Sequence, residues 1–186
     1  MIAGDKVVYP CQGPCLINSV VLKSVADSPK SFYHLVILVD DGGELFVPVD
    51  KAQSIGLRLL LKRSEIPELL NCLMMTSKIT QDRRRRPQEI LELFSSGSAF
   101  DLAEIVKLLT EMSQTRALSF RESRTLERAK KFLVCEISEV LEETRSAAEA
   151  RVDQALSGGK IVDVNKHSNG LPSPEPGEGQ PEDADS

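Results

Sequence analysis

Apolar positions along the chain keep two different periods, and the change falls near residue 64. Ahead of it, short β-branched and apolar runs alternate with turn residues. Lys6-Val7-Val8-Tyr9 ends at Pro10, a second run covers residues 15–22 after a turn at Gly13-Pro14, and a third covers residues 31–39. Asp40-Asp41-Gly42-Gly43 supplies a hairpin turn, because glycine accepts positive φ without a Cβ clash. Residues 44–49 form the next run. Pro48 has no amide hydrogen, which predicts that this strand lies at a sheet edge or ends there. Four or five such strands within the first 60 residues predict a small, strongly bent antiparallel barrel. A barrel of that size is marginal alone, so it is expected to lean on its neighbour.

Beyond residue 64 the period is helical. Ile66, Leu69, Leu70, Leu73 and Met74 share one face of a helix that Ser64 is placed to cap. A second helix is expected over residues 83–94, until Ser95-Ser96-Gly97-Ser98 interrupts it. Ser98 caps a third over residues 99–112, with Leu102, Ile105, Val106 and Leu109 on one side. Ser119-Phe120-Arg121-Glu122 reads as a capping box, in which serine accepts from a free amide and glutamate reaches back. It opens a long fourth helix with the stripe Leu126, Ala129, Leu133, Ile137, Val140 and Leu141, expected to continue to about Leu156, where Gly158-Gly159 stops it. The chain is therefore expected to be α+β with segregated modules: a β-module over residues 1–61 and a compact all-α module over 62–157. Residues 158–186 are rich in proline, glycine and acids. They cannot bury enough apolar surface to offset their ordering, and disorder is expected there.

Composition narrows the class. Hydrophobic content of 41% is ordinary for a soluble protein, and no apolar run is long enough to span a bilayer. Met1-Ile2-Ala3-Gly4-Asp5-Lys6 lacks the basic start and apolar stretch of a signal peptide, so a cytoplasmic location without a membrane partner is expected. Four cysteines, Cys11, Cys15, Cys72 and Cys135, are expected to be free thiols in such a compartment. The net charge of −5 argues at first against nucleic acid, but its distribution matters more than the sum. Residues 158–186 hold six acids against two lysines, which leaves residues 1–157 near neutral. Within that body, Lys78 and Arg83-Arg84-Arg85-Arg86 face only Asp82 and Glu89 between residues 76 and 90. A concentrated basic site on a near-neutral body still attracts phosphate, because screening leaves mainly local charges acting at contact.

Catalytic constellations are lacking. The sequence has no P-loop and no glycine-rich dinucleotide fingerprint, and its histidines are His34, in an apolar strand, and His167, in the tail. Cross-strand packing is the reading for His34. Cys11 and Cys15 could be half a zinc site, but no second Cys/His pair exists, and two small side chains flanking a turn is the plainer reading. Neither enzyme activity nor a metal or other cofactor is expected.

Guanidinium groups contact phosphate bidentately and enter narrow minor grooves, so Arg83, Arg84, Arg85 and Arg86 point to nucleic acid. The plainer alternative is a solvated charge run, or arginines paired with acidic helices of the same chain. A resemblance bears on that choice. Gly4-Asp5-Lys6-Val7-Val8-Tyr9-Pro10-Cys11-Gln12-Gly13 resembles the opening of the CarD/CdnL family of bacterial transcription regulators, GD-x-VVYP-x-x-G. Phe32-Tyr33-His34-Leu35, Val47-Pro48-Val49 and Ile55-Gly56-Leu57-Arg58 continue the likeness. So do Arg83-Arg84-x-Arg86, Ser96-Gly97-Ser98, the Ala103 to Leu109 segment, Leu118-Ser119 with Glu122, Leu126 and Ala129, and Glu136. The resemblance covers roughly residues 1–145.

It implies a Tudor-like (SH3-like) barrel that binds the lobe of the RNA polymerase β subunit through an exposed strand edge. It also implies a helical module that contacts promoter DNA, minor groove and backbone, largely without sequence preference, at the upstream edge of the transcription bubble. Holding both would stabilise the open complex: polymerase raises the effective concentration of a weak DNA contact. Monomeric action is expected. By position, polymerase contacts fall on Lys23, Leu45, Phe46, Val47 and Pro48, with core packing the alternative for Phe46. DNA contacts fall on Gln81, Arg83, Arg84, Arg85 and Arg86. Gln81 stands where many members carry a tryptophan that wedges into the minor groove, and this chain has no tryptophan. Pro87 requires that the helix begin near Arg86, leaving Arg83–Arg85 extended, or be kinked there. These departures predict a more electrostatic DNA contact. They also leave open a different class, a protein-only adaptor with weak or no DNA binding. The acidic tail is a candidate competitor for the arginines.

Overall fold

The computed structural model describes residues 1–25, 28–39, 42–75, 77, 79 and 84–158. Five strands come first among them: β1 (Lys6–Tyr9), β2 (Gly13–Val25), β3 (Ser28–Ile37), β4 (Glu44–Pro48) and β5 (Arg58–Leu59). They form one antiparallel sheet in the order β4-β3-β2-β1-β5. It is barrel-like and not closed, because β4 and β5 are its two edges. The expected edge position of Pro48 is therefore borne out.

The first turn is displaced from its expected place. It falls at Pro10–Gln12, closed by the Gln12 amide donating to Tyr9 O at 3.0 Å, and Gly13 and Pro14 already pair within the sheet with Tyr9 and Val8. Cys11 and Gly13 take positive φ there, 62° and 82°. The Asp40-Asp41 half of the expected hairpin turn lies outside the described residues. Its Gly43 carbonyl accepts from the Ile37 amide at 2.8 Å. Alternation along the strands sends Val7, Cys15, Ile17, Tyr33, Leu35 and Val47 into one core, closed by Ala52 and Leu57. Val8 is buried as well, so β1 is covered on both faces.

Five helices follow among the described residues: α1 (Ile66–Met74), α2 (Arg86–Ser96), α3 (Ala99–Thr115), α4 (Phe120–Leu141) and α5 (Arg145–Leu156). Ser64 does not cap α1. It sits inside a single 3-10 turn, Arg63–Glu65, in which the Lys62 amide donates to the Glu65 carboxylate at 2.7 Å. Pro67 follows in the first helical turn, where its missing N–H costs nothing. Ile66, Leu69 and Leu73 are buried, whereas Met74, expected on that face, is exposed at the helix end. Gly97 ends α2 in the left-handed region (φ 72°), and Ser98 caps α3 by accepting from the Asp101 amide. The capping box at Ser119 forms as expected: Ser119 Oγ accepts from the Glu122 amide, and the Glu122 carboxylate accepts from the Ser119 amide at 2.8 Å.

The long terminal helix is in fact two. α4 stops at Leu141, Glu142 turns left-handed (φ 57°), and Thr144 caps α5 by accepting from the Ala147 amide. Helix α5 then runs back along α4, held by Lys130 to Glu149 at 3.0 Å and to Asp153 at 2.8 Å. Ala148, Val152 and Ala155 close the second core beside Leu69, Leu109 and Leu133. Each fully buried leucine there contributes roughly 1.5–3 kcal/mol relative to exposure.

The β-module leans on the helices, as its size requires. Arg58 donates two bonds to the Glu136 carboxylate at 2.7 and 2.9 Å, and a third from Nε to Gly97 O. Gly13 lies against the ring of Phe132, Arg128 donates to Cys11 O, and Lys6 pairs with Glu139. All four cysteines are free. Burial, then the nearby Cys135 thiol, pushes Cys15 up to about 12, and burial pushes Cys135 up to about 11. Both thiols therefore stay protonated and are poor nucleophiles at neutral pH. Cys11, the other half of the zinc pair considered above, points instead at Phe94 O and Ser95 Oγ of α2.

Candidate functional site

The sheet presents a long edge and the helices present a groove. The edge is β4, which among the described residues pairs with β3 alone and leaves its outer backbone groups without a strand partner. Of the residues expected there, Val47 is 3% exposed and belongs to the β core, so it can offer only its backbone. Leu45 and Pro48 are half-buried. Phe46 alternates to the outer face and is 43% exposed, which decides against core packing for it. Its ring stacks on His34 (centroids 4.8 Å apart, planes 12°), the cross-strand packing expected of that histidine. Lys23 Nζ lies 3.1 Å from the centre of the Phe46 ring, a cation–π contact. His34 Nδ1 meets Asn18 Nδ2, and His34 Nε2 lies 3.1 Å from Glu44 Oε2 at an angle poor for a hydrogen bond. The result is a flat aromatic platform with one ammonium group above it. Beyond it on β2, Val20 and Leu22 are exposed as well.

The helical site is less as expected. Gln81 and Arg83 lie outside the described residues. Arg84 and Arg85 are exposed in a turn ahead of α2, and Arg85 has helical rather than extended angles (φ −87°, ψ −31°). The helix starts at Arg86, as the first of the two arrangements that Pro87 allowed requires, but without the extended lead-in at Arg85 that went with it. Arg86 itself is 8% exposed, with Nη1 3.4 Å from the Met112 sulfur. A guanidinium so placed braces α2 against α3 and is not offered to phosphate.

Four arginines that the sequence reading did not single out stand beside it. Arg116, Arg121, Arg124 and Arg128 join Arg86 around a groove of about 900 Å³ between α2 and the first half of α4. Its apolar lining comes from Ile90, Leu91 and Phe94 of α2 and Phe120 of α4. Arg116 is committed to Glu122 by two bonds of 3.1 and 2.6 Å, and those bonds hold the Glu122 carboxyl down at about 2. Arg124 lies over Phe120, and Arg128 over Phe94 and Phe132. A signal was available in the spacing: positions 121, 124 and 128 share one helical face. Reading it required knowing that this face opens on α2.

No helix among the described residues is long and apolar enough to cross a membrane, and no three His, Cys, Asp or Glu side chains among them are grouped to hold a metal ion. Two family models match the chain. The CarD-like/TRCF RID domain matches residues 2–59, and the CarD C-terminal domain matches residues 68–153. Among curated relatives, "Putative transcription factor YdeB" of Bacillus subtilis (strain 168) is 23% identical over 138 residues, covering 72% of this chain and 88% of that protein.

Proposed function

The chain belongs to the CarD-like family of transcription regulators, and on that premise we propose that it binds the lobe of the RNA polymerase β subunit through β4 and contacts promoter DNA through its helical half. The family is one of transcription factors and not of enzymes. The reading assigns residues 1–61 to polymerase and residues 62–157 to DNA at the upstream edge of the bubble, so that the bound pair prolongs the open complex.

The free edge of β4 carries this reading. An extended segment of a partner can add to such an edge through main-chain bonds, and the side chains beside it set specificity. Phe46 with Lys23 above it supplies an exposed aromatic anchor already ordered by stacking, so little rotamer freedom is lost on binding. On the DNA side, Arg84 and Arg85 neutralise phosphates, with Gln81 and Arg83 adjoining them in sequence. Affinity should then fall steeply with salt.

One observation favours a second reading, a protein-only adaptor: burial of Arg86 removes one guanidinium group from the phosphate site. The deciding experiment measures binding to the isolated β lobe and to a forked promoter duplex, together with open-complex lifetime. The expected result is lobe binding weakened about tenfold by Phe46→Ala, a lengthened open complex, and a DNA salt slope reduced by about 1–2 in the Arg84→Ala plus Arg85→Ala variant. Lobe binding indifferent to Phe46→Ala overturns the edge contact. Lobe binding without DNA binding selects the adaptor.

A further inference from the structure

We propose that the arginine-rimmed groove between α2 and α4 is the docking site of the chain's own acidic segment, residues 171–186. The groove is built to take an acidic chain with apolar groups. Leu91 and Phe120 in its lining are 58% and 80% exposed, a cost that an occupant would relieve. Among the described residues, Arg121, Arg124 and Arg128 have no carboxylate partner, whereas Arg116 is already neutralised by Glu122. The vacant charge at the rim is therefore that of the α4 face.

Residues 171–186 complement it. They hold Glu175, Glu178, Glu182, Asp183 and Asp185, no basic residue, and Leu171 with four prolines. Proline-rich segments suit aromatic-lined grooves, because their fixed φ lowers the entropy lost on docking. Acids spaced along such a segment can meet guanidinium groups in turn while Leu171 and the prolines face Phe120 and Leu91.

Position supports the same occupant. Helix α5 runs antiparallel to α4, and the Lys130–Asp153 pair at 2.8 Å puts its end beside the first half of α4. The chain thus leaves the fold at Gly158, level with Arg124 and Arg128 but around the helix from them. The stretch from there to Leu171 reaches up to about 40 Å when extended, against a helix diameter of about 10–12 Å. A short tether supplies a local concentration on the order of millimolar, so a contact too weak to form between separate molecules forms within one. Docked, the segment would cover the α4 arginines and withhold them from other polyanions. This inference does not rest on the DNA contact proposed above.

The test uses a labelled peptide of residues 169–186 and three full-length chains at low salt: the intact protein; a charge-neutralised variant, Glu175→Gln, Glu178→Gln, Glu182→Gln, Asp183→Asn and Asp185→Asn; and that variant with Arg121→Ala and Arg124→Ala added. The neutralised chain should bind the peptide at least about tenfold tighter than the intact chain, whose groove is already filled, and the added arginine changes should remove that gain. Arg121 and Arg124 are exposed, so thermal midpoints of the two neutralised chains should agree and folding is not in question. Equal peptide binding by the intact and neutralised chains overturns the proposal, as does indifference to the arginine changes. Concentration-dependent dimers of the intact chain, lost on neutralising the tail, would place the segment in a second copy and overturn docking within one molecule. Because no nucleic acid is present, failure here leaves the DNA reading standing, and failure of that reading leaves this one.

Discussion

Arg58 and Glu136 form a two-pronged ion pair, 2.7 and 2.9 Å, that joins the sheet to α4 with the carboxylate 1% exposed. Glu136 also accepts from the Leu61 amide at 3.0 Å, so it satisfies the backbone that links the two modules. Removing one member of a buried pair leaves the other uncompensated, at a cost of about 3–5 kcal/mol. Because the Arg58 side chain is 28% exposed, the lower end applies. Glu136→Ala should lose about 3 kcal/mol in urea unfolding, and Glu136→Gln less, since it can still accept from Leu61. A loss under about 1 kcal/mol for the alanine variant would mean that solvent screens the pair and that packing alone holds the modules together.

Gly13 and Phe132 make the tightest approach at the same seam. A Cβ on Gly13 would stand 2.7 Å from Phe132 Cδ1, and φ of +82° is strained for any L side chain. Gly13→Ala should therefore destabilise by about 2–3 kcal/mol, part from overlap and part from backbone strain. The parts separate in a double-mutant cycle. With Phe132→Leu in place, the cost of Gly13→Ala should drop by about 1 kcal/mol, because only the overlap is relieved. Equal costs in both backgrounds would assign the whole effect to φ.

Features written in local chemistry were legible in the sequence. The Ser119–Glu122 box, the Gly97 break and the edge position of Pro48 each depend on a residue's own hydrogen-bonding or φ preference, and each appears where expected. Features that depend on what packs across a gap were not. The pairing of Arg58 with Glu136 joins residues far apart in the chain. Arg86 read as a phosphate ligand because neighbouring arginines imply exposure, yet α3 covers it. The groove needs the faces of two helices to meet, so nothing in the sequence singled out Arg121, Arg124 and Arg128. The displaced first turn has a subtler cause. Cys11, a non-glycine residue, takes the left-handed angle that would ordinarily be sought at glycine, which frees Gly13 to approach Phe132.

Acid should weaken the start of α4 through Glu122. Hydrogen bonds from Arg116, then those at Ser119, lower its carboxyl from the ordinary 4.5 to about 2. A depressed folded pKa contributes stability that is complete above the unfolded value and is lost as pH falls through the folded one. The window is therefore about pH 5 down to pH 2. Solvent reaches this pair, so the contribution is roughly 1 kcal/mol. Glu122→Gln should be less stable than the parent at pH 6, and the gap should close as pH approaches 2. A gap of the same size at both pH values, measured by urea unfolding, would remove the charge from the explanation and leave only the cap.

Glu142 decides whether α4 and α5 are two helices in solution. No glycine or proline marks the break at residues 142–144, so apolar periodicity runs through it, and the structure turns there on a left-handed glutamate with φ 57° and ψ 41°. The break is favourable because Thr144 caps the new helix, and because α5 folded back buries Ala148, Val152 and Ala155. Left-handed angles cost a non-glycine residue about 1 kcal/mol or more, and helix ends of this kind favour glycine. Glu142 is exposed and makes no ion pair among the described residues, so its side chain can be removed without loss. Glu142→Gly should then stabilise by about 0.5–1 kcal/mol, the relief of strain exceeding the added freedom of the unfolded chain. In a continuous helix the same change would destabilise by about 0.5–1 kcal/mol. The thermal midpoint should rise by a few degrees, roughly 2–4 °C per kcal/mol for a chain of this length. A fall in the midpoint would mean that the helix runs unbroken, and α5 would then not be folded back along α4 to place the tail near the groove.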